Sequence, residues 1–230
     1  WAWNWSADNK GFYADEVNQL TNTFYPVIFG IACSTADIKD HTCLMESFTR
    51  SAHGAVAYLG ATEDSYTEAN HSLDKILFKE LLNDNIVNMG ELNVKSQIRN
   101  MADVGDFTAV DNAFCYLCGN DPSLEIWTQN PKSFTNIETS NASDGLHINV
   151  RDVTGFYVSV TSKDGDFLYK KSTNTNSIVL PNYSSDYHVV LNKQNFIPME
   201  VQSQETSYLQ NRTITDNEAI TGNKIEVGYD

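Results

Sequence analysis

The hydrophobic period of this 230-residue chain changes at Asn130-Pro131, and that change constrains the fold more than any other feature. Before it, short apolar runs rich in β-branched and aromatic residues alternate with stretches whose apolar residues recur every three or four positions. After it, only short stretches of strand-like alternation remain. Alternating strands and helices pack as an α/β layer around a parallel sheet. About seven short strands in some 70 residues pack as a small antiparallel sandwich. The chain therefore reads as residues 1–130 in an α/β unit and 131–203 in a sandwich. The polar residues 204–230 read as a linker or the start of a further module.

Within the first unit, Val27, Ile28, Phe29 and Ile31 follow Pro26 and predict a strand over 27–32 buried on both faces. Leu44, Phe48 and Ala52 have helical spacing and predict a helix over 43–52, ended by Gly54. AVAYLG predicts a strand over 55–60. Residues 72–82 predict a helix whose core face is Leu73, Ile76, Leu77, Phe78, Leu81 and Leu82. A third helix is expected over about 93–102, and one or two strands over 113–127. In the second unit Lys163-Asp164-Gly165 predicts a hairpin turn and Pro181-Asn182-Tyr183 another.

Thirty acidic residues against fifteen basic ones give a net charge of -15, which repels phosphate backbones and excludes nucleic acid as a partner. The charge is uneven, with 18 acidic and 7 basic side chains in residues 1–130 and 12 and 8 in the rest. No apolar stretch approaches the roughly 20 residues of a membrane span, so no membrane insertion is expected. The first residues, WAWNWSADNK, lack the pattern of a signal peptide, which suggests that the chain begins inside a longer one.

The four cysteines, at 33, 43, 115 and 118, all lie in the first unit and make no disulfide framework. Cys115 and Cys118 have zinc-ligand or redox spacing but lack a second pair, and FCYLCG reads as an apolar strand. Cys33 stands where a buried strand runs into a small-residue turn. In open α/β sheets that carboxyl edge faces the ligand cleft, so Cys33 is either core filler or a nucleophile. A thiol nucleophile needs a base. His53 lies at the opposite edge, about 20 Å of strand away, and reads as a helix end beside the Gly54 cap. His41, in the loop after Cys33, and His71, at the start of the helix after the second strand, are on the correct edge.

The runs DEVNQLTN, PVIFGIACSTADI, TCLMESFTRSAHGAVAYLGAT and GNDPSLEIWT occur in order with a Trp-rich start. Over residues 1–128 they resemble the later half of the catalytic domain of the gingipain cysteine peptidases, which have a caspase-like fold. The resemblance implies a partial caspase-like α/β sheet followed by an immunoglobulin-like sandwich. It makes Cys33 the nucleophile of a cysteine endopeptidase acting on protein or peptide substrates. It places Ser65 and Tyr66, in the TEDSY loop, at the wall of the substrate pocket. The family's general base, a His in a His-Gly motif, precedes a tryptophan segment like WAWNW. It is therefore expected upstream, with the residue that sets substrate specificity and any acid orienting the His. The upstream part of the same catalytic domain becomes a required partner, and the isolated 230 residues are expected to have negligible activity.

The resemblance further implies a secreted or bacterial cell-surface protein. No cofactor is required, and calcium is allowed, although no loop has an EF-hand pattern and no ligands are assigned. Asp37 reads as a turn or helix cap and Cys43 as a structural thiol. Two other readings are an inactive relative used in adhesion or assembly and a maturation peptidase that cleaves sorting signals.

Overall fold

The computed structural model describes residues 4–7, 10–39 and 42–201, with side chains from residue 11 onward. Contacts divide the chain into two compact units, Trp1–Thr128 and Gln129–Asp230. The first opens with an antiparallel pair, β1 (Asn4–Ala7) and β2 (Lys10–Tyr13), and a 3-10 turn over Ala14–Gln19. Then follow β3 (Val27–Gly30), α1 (Leu44–Arg50), β4 (Ala57–Ala61), α2 (Thr67–Leu82), α3 (Met89–Val104), α4 (Phe107–Cys115) and β5 (Tyr116–Gly119).

The sheet of this unit has the order β3-β4-β5. β3 and β4 are parallel, with Val27 opposite Ala57 and Gly30 opposite Gly60. β5 runs antiparallel to β4, so the expected all-parallel sheet is mixed. Period-two alternation places Ala57, Leu59 and Ala61 against α2 and α3, where Leu73, Leu77, Leu81, Met89 and Leu92 complete one core. Tyr58 points the other way, into a second core with Leu44, Phe48, Val17 and the buried Cys43. A sheet covered on both faces is the α/β layering that the alternating periods demand. β4 is buried throughout, whereas Val27, Ile28 and Phe29 of β3 are only partly buried, contrary to the two-faced burial expected there.

Helix boundaries follow their caps. α1 begins after Cys43, whose N–H donates to Glu46 Oε2 at 3.1 Å, and Glu46 pairs with Arg50 one turn on. It stops at Ser51, in extended conformation, before the expected end at 52, so Gly54 is not its cap. α2 starts at Thr67, earlier than expected, which puts His71 inside the helix. Its Phe78 and Leu82 are exposed rather than in the core, although the Phe78 ring packs edge-on to Phe29 at 5.7 Å. α3 is longer than expected: Asn88 caps it by accepting from Glu91 N, and Gly105, at φ 72°, ends it. α4 was not expected, and its last residues, 113–115, fall where a strand was expected. Asp106 accepts from Thr108 N at 2.9 Å and opens it, and only from Tyr116 does the chain extend.

The second unit is all-antiparallel. Its strands are β6 (Ile137–Ala142), β7 (Gly145–Val150), β8 (Phe156–Ser162), β9 (Phe167–Thr173), β10 (Ser177–Leu180), β11 (Tyr187–Asn192) and β12 (Met199–Val201). They form two sheets, β10-β7-β6 and β12-β11-β8-β9. Leu146, Ile148, Val150, Ile178 and Leu180 from the first sheet share one core with Phe156, Val158, Val160, Val189 and Leu191 from the second. The expected turns are present at Gly165, with φ 92°, and Asn182, with φ 54°. Residues 202–230, which include the segment 204–230 expected to be a linker or the start of a further module, lie outside the described residues.

Candidate active site

Because β3 and β4 are parallel and in register, the loops that follow them open at the same edge of the sheet. The chain leaves β3 at Gly30 and turns tightly, with Ala32 N donating to Gly30 O at 2.9 Å and Ser34 held at φ 55°. Cys33 sits in that turn, half-buried, three residues beyond the strand rather than at its last position. The buried Thr35 braces the turn by donating from Oγ1 to Gly30 O at 3.1 Å. Ser34 N and Ala36 N donate to Glu63 O and Ala61 O at 2.9 and 2.8 Å, which binds the turn to the segment after β4. Lys39 and Glu63 pair across the same seam at 2.6 Å.

Ser65 meets the thiol directly. Its N–H donates to Cys33 Sγ at 3.3 Å, its hydroxyl reaches the same sulfur at 3.7 Å, and Cys33 Sγ in turn donates to Ser65 O at 3.3 Å. Ser65 immediately precedes Tyr66, the N-cap of α2. The thiol thus lies beside the N-terminus of a 16-residue helix. The arrangement supplies what a nucleophilic thiol needs on one side: a fixed position, fixed donors and an open sheet edge.

Tyr66 is 41% exposed, and its ring meets that of Phe107, at the start of α4, edge-on at 5.7 Å. Sequence reasoning named Ser65 and Tyr66 but not Phe107, for whose segment no element was expected. It also missed Asn70, Asn112 and Tyr116, buried behind Ser65. A signal for the two asparagines exists: Asn70 shares a helical stripe with Leu73 and Leu77, and Asn112 one with Ala109 and Tyr116. A polar residue on a core stripe is a buried one that must be hydrogen-bonded.

Among the described residues, the histidines of the first unit are not gathered at Cys33. His53 lies four residues before β4, at the amino edge, and its Nδ1 donates to Asn22 O at 2.9 Å. His71 is exposed on α2. His41 lies outside the described residues. Asp37 caps a turn by accepting from Lys39 N at 3.2 Å. Cys43 is fully buried at the start of α1, and burial pushes its thiol up. Burial also raises Cys115 and Cys118, which stand at the end of α4 and in β5, so the first two residues of FCYLCG end a helix and only the other four form a strand. Among the described residues no three His, Cys, Asp or Glu side chains come together as metal ligands.

A sequence model described as Peptidase family C25 matches residues 1–127. No curated protein matches the chain. Among solved structures, the Arg-specific cysteine proteinase gingipain R superposes with a TM-score of 0.69 at 20% identity, covering 87% of this chain and 50% of that one. A structure titled as a protease gives 0.69 at 18% identity over 88% and 51%. A complex of the pro- and mature domains of RgpB from Porphyromonas gingivalis gives 0.67 at 19% identity over 85% and 50%. The likeness of fold thus extends beyond the family match into the second unit, while the chain spans about half the length of these structures.

Proposed function

The chain belongs to peptidase family C25, and on that footing we propose that it forms part of a secreted or bacterial cell-surface cysteine endopeptidase with Cys33 as its nucleophile. The observation that carries this reading is the seating of Cys33 Sγ. It lies in a braced turn at the carboxyl edge of the sheet, against Ser65 N–H and the N-terminus of α2. In the proposed reaction the thiolate attacks the scissile carbonyl of a protein or peptide substrate, forming a C–S bond. Backbone N–H groups, that of Cys33 among them, hold the oxyanion. As the intermediate collapses the C–N bond breaks, and the leaving amine takes the proton first removed from the thiol. Water then releases the acyl group.

The histidine that moves this proton is assigned to a part of the enzyme outside the described residues, since His53 and His71 are placed elsewhere. That part of the catalytic domain is the partner this chain requires. Tyr66 and Phe107 form the wall of the subsite next to Cys33, with Ser65 at its base. The sandwich-forming second unit is assigned an immunoglobulin-like fold. The chemistry needs no cofactor, because a thiolate, an imidazole and backbone donors supply all of it.

A thiol-reactive peptidyl inhibitor is expected to label Cys33 in the full-length protein, and Cys33→Ala is expected to abolish peptide hydrolysis. Hydrolysis that survives Cys33→Ala would falsify the assignment. The 230-residue chain alone is expected to turn over peptides negligibly, and robust turnover by it would place the base within these residues.

A further inference from the structure

Behind the Cys33 turn lies a row of buried polar side chains that the proposed reaction does not use. Asn70 in the first turn of α2 is 7% exposed, Asn112 on α4 is fully buried, and Tyr116 at the start of β5 is 6% exposed. α2 and, 42 to 46 residues further on, the adjoining α4 and β5 bring them together, and a single backbone group fixes the direction of every bond between them. Tyr66 N can only donate, and it donates to Asn112 Oδ1 at 2.9 Å. Asn112 must therefore present Nδ2 on its other side, where it donates to Asn70 Oδ1 at 2.9 Å and to Tyr66 O at 3.4 Å.

Tyr116 Oη donates to the same Asn70 oxygen at 2.7 Å, and burial pushes this phenol up, so it remains a donor throughout the neutral range. With Oδ1 engaged twice, Asn70 turns Nδ2 toward Ser65 and donates to its Oγ at 2.8 Å. A hydroxyl that accepts from Asn70 has its own hydrogen left for Cys33 Sγ, 3.7 Å away. Each bond polarises the next, and the low dielectric of the interior strengthens them all.

We propose that the Ser65 hydroxyl, aimed by Asn70, Asn112 and Tyr116, is a positioning group that holds the Cys33 thiolate. The site serves both protonation states. As a thiol, Cys33 donates to Ser65 O; as a thiolate, it accepts from Ser65 N–H and Oγ–H together. Hydrogen bonds to a charged acceptor are shorter and more directional than neutral ones, so the row fixes where the sulfur sits. The same asparagine that sets its direction clamps Tyr66 at both N and O, so the thiolate and the substrate-facing loop are held by one device.

This inference rests on Cys33 as the nucleophile, and one experiment separates the two. In the full chain, alkylation of each cysteine by iodoacetamide is followed by mass spectrometry from pH 6 to 10; the thiolate forms a C–S bond and iodide leaves. Ser65→Ala is expected to slow Cys33 at pH 7 by about tenfold and to match the unmodified chain at pH 10, where ionisation no longer needs help. Ser65→Thr, which keeps the hydroxyl, restores the rate at pH 7. Asn70→Ala slows Cys33 in the same way, but adds nothing in a Ser65→Ala background because it acts through that hydroxyl. Should Asn70→Ala unfold, the Ser65 pair decides alone. A Cys33 that is fast at pH 7 but indifferent to Ser65→Ala, or slowed equally at every pH, overturns the role of the row. A Cys33 no faster than Cys115 in the unmodified chain overturns the nucleophile itself.

Discussion

Gly60 controls how closely the Cys33 turn lies against the sheet. A Cβ at this position would stand 2.7 Å from Thr35 Oγ1 and 2.7 Å from Tyr58 Cε1, so the central strand must lack a side chain there for the turn to settle. Thr35 is the residue that ties the turn back to Gly30 O, and Ser34 beside it already occupies the left-handed region at φ 55°. Gly60→Ala is accordingly expected to cost about 1–3 kcal/mol through overpacking. It should also slow inhibitor labelling of Cys33 in the full-length protein. Thermal melts together with labelling rates check this: an unchanged melt would show that the turn yields freely. None of this is visible in the run AVAYLG, where Gly60 looks like the end of a strand.

At the scale of elements, α2, whose N-terminus faces Cys33, is joined to α3 by a buried carboxyl group. Glu80 is 3% exposed, and its Oε2 accepts from the fully buried Ser96 Oγ at 2.7 Å, while Arg99 approaches Oε1 at 3.6 Å. A buried carboxylate is tolerated only while donors reach it. Ser96→Ala leaves Glu80 short of its close partner and is expected to cost about 1–3 kcal/mol, whereas replacing both residues by apolar ones should cost less. Denaturant titration of the two variants measures the difference; a double variant worse than the single one would refute the account. α2 was legible because Leu73, Leu77 and Leu81 repeat every four residues along it. α4 was not, because its nine residues run directly into β5, and Phe114, Cys115 and Tyr116 read as one apolar strand. Only the bond from Asp106 to Thr108 N reveals the helix start, and its apolar residues Phe107, Val110 and Phe114 face outward instead of marking a core stripe.

At the scale of the molecule, the cysteines and Tyr116 make the first unit sensitive to alkali. Burial raises Cys43, Cys115 and Cys118 above 9.0 and Tyr116 above 10.0, so each loses its proton less readily folded than unfolded. The stabilisation from such groups is fully present below the unfolded values and lost as pH rises through the folded ones. The first unit is therefore expected to lose stability from about pH 9 upward. The second has no cysteine, and its Tyr169 is raised by burial. Hydrogen exchange at pH 7 and pH 10 should show protection falling more in β4 and α2 than in β8 and β11; an equal fall would count against the buried thiols.

The sequence by itself determined that this protein has an α/β part followed by an all-strand part. Period is a property of neighbouring residues, and burial of one face imposes it locally. It also determined the family, because ordered motifs such as PVIFGIACSTAD are contiguous in the chain. Tertiary structure alone decided what surrounds Cys33. Ser65 follows it by 32 residues, and the bond between Asn70 and Tyr116 spans 46. No local preference records such separations; they arise when parallel β3 and β4 bring their loops to one edge and α4 closes over them. The reversed direction of β5 is likewise a matter of packing, since an apolar run pairs equally well either way until the helices before it fix its approach.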